Sequence, residues 1–136
     1  MTALVLVTMM AVMPQAPAAA LPDTAQGKRV QAYADAFNTG DDKVFIAMMN
    51  DQVDPALLAK RTDAERLQMF NRMRGDFGTF KIIRVEQASA GEIVVIVPNK
   101  NGVEAQFVFT FQDVAPFRIG GISVEINRGG GVFPSN

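Results

Sequence analysis

The chain has 136 residues, a hydrophobic fraction of 49%, and 13 basic against 14 acidic side chains, for a formal net charge of −1. That length allows one domain, and the interspersed charges leave no basic stripe for nucleic acid. It contains no cysteine and no histidine, which removes disulfides, thiolate nucleophiles, imidazole bases and the usual zinc and iron ligands.

Residues 1–22 carry no charge. Within them "ALVLVTMMAVM" (3–13) is an apolar run, followed by Pro14 and "APAAA" (16–20). The run has signal-peptide length, ends in Ala18-x-Ala20 and is too short to span a bilayer, although no Lys or Arg precedes it. Residues 1–20 are therefore expected to be a signal peptide. The protein is then exported to the periplasm or the medium, with no membrane contact after cleavage.

Helical periodicity follows. Asp23 and Gln26 resemble a capping box, and Val30, Tyr33, Ala34 and Phe37 fall at i, i+3, i+4 and i+7. Asn38 and Gly40 supply a stop. Asp41 then caps a second helix, expected to bury Val44, Phe45, Met48 and Met49. Asp54-Pro55 opens a short third helix, "PALLAK", with proline at its favoured first position. Thr62-Asp-Ala-Glu65 is a capping box for a fourth, with Leu67, Phe70 and Met73 inward and a stop at Gly75.

From Thr79 the period changes to two. "TFKIIRVEQA" and "EIVVIVP" read as strands around an Ala90-Gly91 turn, and "NKNG" (99–102) is a hairpin signal. "VEAQFVFTFQ" alternates, with Ala105, Phe107, Phe109 and Phe111 on one face. "IGGISVEIN" is a last strand with Ile122, Val124 and Ile126 inward, and Gly120-Gly121 predicts a bulge. Helices followed by hairpin-linked strands define an α+β class, with the helices on the concave face of a curved antiparallel sheet of about four strands. One domain over 21–128 and a flexible tail over 129–136 complete the expected organisation.

Four stretches carry a resemblance: "AYADAFNTGDDKVFIAMM", "TDAERLQMFNRMRGDFGTFKIIRVE", "GEIVVIVPNKNG" and "PFRIGGISVEI". Together they are similar to the nuclear-transport-factor-2-like (cystatin-like cone) superfamily. More narrowly, they resemble an accessory domain of exported bacterial proteins, found beside penicillin-binding-protein-like serine hydrolases and tail-specific-protease-like serine peptidases. The resemblance implies a cone-shaped α+β fold and a serine hydrolase as partner; no cofactor is expected. The strand pair that many members carry between their helices has no counterpart here, which implies a shallow pocket.

No hydrolytic triad is present: Ser89, Ser123 and Ser135 stand without a nucleophile elbow, and "NDQVD" (50–54) does not match a calcium loop. Two functions of different kinds remain. The first is a non-catalytic module that binds a small apolar ligand or docks on a hydrolase, with a homodimer through the sheet as a further association. Its ligand candidates are Tyr33, Phe37, Met48, Phe70, Met73, Phe107 and Phe109, because soft and aromatic side chains suit a variable apolar ligand. The alternative, implied by the resemblance, is a ketosteroid-isomerase-like isomerase or dehydratase. There Tyr33 would donate to an oxyanion and Asp54 would move the proton.

Overall fold

A computed structural model describes residues 20–126. The expected signal peptide and tail lie outside the described residues, apart from Ala20. The chain forms α1 (Ala25–Thr39), α2 (Asp42–Gln52), α3 (Pro55–Leu58) and α4 (Asp63–Phe77). Strands β1 (Arg84–Ala88), β2 (Glu92–Pro98), β3 (Glu104–Phe111) and β4 (Ile119–Ile126) follow. The strands form one antiparallel meander in the order β1-β2-β3-β4, with the helices packed against it. The class is α+β, as the order of periodicities requires.

Local chemistry sets most helix ends. Gly40 closes α1 at φ 69°, a left-handed conformation that costs glycine little. The Asp41 side chain accepts from the Lys43 and Val44 amides, Asp54 accepts from the Ala56 amide, and Thr62 and Glu65 form the reciprocal capping box. Three expectations shift. The cap of α1 is Thr24, whose Oγ1 accepts from the Gly27 amide at 3.1 Å. Gln26 is instead buried and donates to the Ala90 carbonyl at 3.1 Å, tying α1 to the β1–β2 turn. Helix α4 runs through Gly75 to Phe77, because burial of Phe77 against Phe107 holds the last turn and Gly78, at φ 71°, ends it. Val44 is 41% exposed, so α2 buries Phe45 and Met48 without it.

The first strand is shorter than its sequence. Asn38 exchanges two hydrogen bonds with Phe80, accepting from its amide at 2.8 Å and donating to its carbonyl at 3.0 Å. Those bonds hold residues 79–82 on α1 rather than in the ladder, which is joined only when the Ile83 amide reaches the Ile96 carbonyl. The inner face of β2 and β3 pairs Ile93 with Phe109, Val95 with Phe107 and Val97 with Ala105. At the β3–β4 edge, Thr110 faces Gly121 while Phe111 faces Ile119, so Gly120 is the extra residue of the expected bulge.

The core is aromatic. Tyr33 meets Phe109 (5.3 Å between ring centroids), Phe80 (5.4 Å) and Phe45 (5.8 Å) edge-on, and Phe45 stacks on Phe70 at 4.0 Å. Outside the sheet, Arg84 makes a bidentate bridge across β2 to Glu104, at 2.7 and 3.1 Å. Beyond α2, the Asp54 amide donates to the Ile119 carbonyl at 2.8 Å, joining the start of α3 to β4 through a parallel bridge of Val53 with Ile119. That junction positions the site.

Candidate functional site

The α2–α3 junction is bonded to β4, and a space is left between α3, α4 and the inner face of β4. The space is a pocket of about 260 Å³. Apolar side chains supply its walls: Met49 and Val53 from the end of α2, Leu57 and Leu58 from α3, Met69 and Met73 from α4, and Ile122 and Val124 from β4. Tyr33 of α1 reaches it from the core side. Lys60, Arg61 and Arg66 complete the lining.

Tyr33 is 3% exposed, and its hydroxyl makes no hydrogen bond among the described residues. Burial pushes its pKa well above the ordinary phenol value, because the phenolate would lose its hydration with nothing to replace it. The Tyr33 hydroxyl is therefore a neutral donor at the buried end of an apolar space.

The basic residues differ from one another. Arg66 is held back: its Nη1 donates to the carbonyls of Leu58 and Arg61 at 2.7 Å each, and its Nη2 pairs with Asp63. Its Nε is buried without a partner among the described residues. These bonds fold the α3–α4 connection over the pocket and make Arg66 a structural strut. Lys60 and Arg61 are exposed and take part in no ion pair among the described residues.

Of the candidates read from sequence, Tyr33 and Met73 line the pocket. Phe37, Phe70, Phe107 and Phe109 are each at most 1% exposed and form the sealed core behind it. Met48 lies on an open groove between α1 and α2, beside Ala32, Ala36 and Ala47. Asp54 caps α3, with its Oδ1 3.0 Å from the Ala56 amide, and is not part of the lining. The structure thus brings no carboxylate to the Tyr33 hydroxyl. Sequence reasoning missed the other ten lining residues; those supplied by α3 and the turn after it are Leu57, Leu58, Lys60 and Arg61. Their one signal was a third helix only four residues long, with "AKRT" behind it, too short to bury its own apolar face.

Among the described residues, no cluster of three His, Cys, Asp or Glu side chains is placed to hold a metal ion. No helix there is long and apolar enough to cross a membrane.

Fold and site together define a small α+β module with a walled apolar pocket lined by a buried tyrosine. The chain matches no protein-family model, no curated protein and no solved structure.

Proposed function

We propose that the protein is an exported, non-catalytic binding module that takes a small apolar ligand between α3, α4 and β4. One observation carries the reading: a pocket walled by Met, Leu, Ile and Val side chains, with a single buried hydroxyl to orient what enters. Three of its wall residues, Met49, Met69 and Met73, are unbranched thioethers that repack around different shapes at little cost. Export rests on the apolar leader. Association with a serine hydrolase rests on the motif resemblance.

The test is a titration of the full chain with apolar fragments, followed by amide chemical shifts. Shifts centred on Met49, Leu57, Met69 and Val124 support the reading. Shifts confined to the outer sheet face, or none, overturn it.

A second reading, the isomerase, keeps one observation in its favour, the desolvated Tyr33 donor. It requires enzyme-dependent exchange of α-protons in keto substrates that collapses in Tyr33→Phe. With Asp54 engaged as a helix cap outside the pocket, we expect no such exchange.

A further inference from the structure

We infer that the ligand is a small single-chain carboxylate whose hydrocarbon body bears an oxygen acceptor; this rests on the binding reading above and names its chemistry. Charge is the first argument. The lining contains Lys60, Arg61 and Arg66 and no acidic residue. Asp63 pairs with Arg66. The Glu65 carboxyl is lowered by its hydrogen bonds from Thr62 and also by the charges of Arg61 and Arg66, which lie close to it. The rim thus carries three cations against two acids, and Lys60 and Arg61, which make no ion pair among the described residues, supply the surplus. Within the lining itself Lys60 and Arg61 stand beside Leu57, Leu58 and Met69, with both acids outside it. A pocket with apolar walls and a positive rim selects an amphiphile with a negative head, and rejects a cationic one by like-charge repulsion.

Size is the second argument. At about 260 Å³ the space lies just below the ~300–1,000 Å³ typical of pockets for drug-sized molecules, so one short chain fits and a two-chain lipid does not. The third argument is the phenol. Tyr33 presents a neutral O–H with no partner among the described residues, 97% buried and lining the same space. The enclosed polar atoms without a partner among the described residues are the Nε atoms of Arg29 and Arg66 and not this hydroxyl, so it is open to the pocket. A ligand oxygen that accepts from it in apolar surroundings gains more than the same bond would in water.

Isothermal titration of the full chain with four probes tests this: decanoate, its terminal keto analogue, decanol and decylammonium, each below its micelle concentration. We expect decanoate to bind more tightly than decanol, and decylammonium not to bind. The Lys60→Gln/Arg61→Gln double variant, which changes exposed side chains of the rim, should weaken decanoate by about five- to tenfold and decanol by less than about twofold. Added salt should weaken decanoate alone. The keto acid should bind about three- to tenfold more tightly than decanoate, an advantage lost in Tyr33→Phe.

Equal binding of decanoate and decanol would leave the pocket reading standing and overturn the anionic head. An unchanged keto-acid advantage in Tyr33→Phe, or no advantage in the wild type, would overturn the acceptor. If no probe bound, the binding reading itself would fall.

Discussion

The two ends of the helix–sheet interface are built differently. Toward β2 and β3 the contacts are aromatic and closed: Phe37 meets Phe70 edge-on, Phe70 stacks on Phe45, and Phe107 and Phe109 take Phe80 and Tyr33 edge-on, with at most 1% of Phe37, Phe70, Phe107 and Phe109 exposed. Toward β4 they are aliphatic and open, with Met49, Leu57, Leu58 and Met73 only half-buried and Met69 42% exposed. Rigid rings with few rotamers give one packing; flexible thioethers around a space give several. The first region holds the fold and the second is free to accept a ligand. Tyr33 belongs to both: its ring packs on Phe45, Phe80 and Phe109, and the residue also lines the pocket.

The sharpest way to break this comparison is to truncate one side chain in each region. Phe109→Ala should cost about 3–5 kcal/mol through lost transfer energy and a new cavity. Met73→Ala should cost about 1 kcal/mol, because its surroundings are already half open. Comparable urea midpoints for the two variants would erase the distinction.

The same contrast holds for the backbone. A Cβ on Gly27 would stand 1.9 Å from the Pro22 carbonyl oxygen, whereas one on Gly75 meets nothing within 4 Å. Gly27→Ala should therefore destabilise by about 1–3 kcal/mol despite being a helical position. Gly75→Ala should stabilise by about 0.5–1 kcal/mol, as in any exposed helix interior. Thermal melts of both variants check the opposite signs.

Tyr33→Phe should leave the stability of the unliganded protein within about 0.5 kcal/mol, since the hydroxyl makes no hydrogen bond among the described residues and is not one of the enclosed unpaired polar atoms. Its raised pKa adds a pH signature. Above the ordinary phenol range the unfolded chain releases this proton and the folded one keeps it, so stability should fall as pH rises past ~10. The chain has one tyrosine and no tryptophan, so the phenolate absorbance reports this residue alone. An ionisation near the free value with the fold intact would place the hydroxyl in solvent.

The smallest effect belongs to the outer sheet face. The hydrogen bonds from Arg84 hold the Glu104 carboxyl below its ordinary value. Its contribution is thus present above the ordinary carboxylate range and lost as pH falls through the lowered value. Wild type should exceed Glu104→Gln in stability at neutral pH by a small margin that closes in acid, as denaturant titrations at both pH values would show.

Sequence alone determined the features set by near neighbours. The capping residues Asp41, Asp54 and Thr62, the Gly40 stop, the "NKNG" hairpin, β2 and the Phe107/Phe109/Phe111 face were all legible, because caps, turns and two-residue alternation act over a few positions. Tertiary structure decided what depends on distant partners. Residues 79–82 have strand chemistry, yet Asn38, some forty positions earlier, holds Phe80 on α1. Gly75 reads as a stop, yet the Phe77–Phe107 contact carries α4 past it. The pocket lies where a hydrogen bond from Asp54 to Ile119 ties the start of α3 to β4, a long-range contact that leaves no periodic trace in the chain.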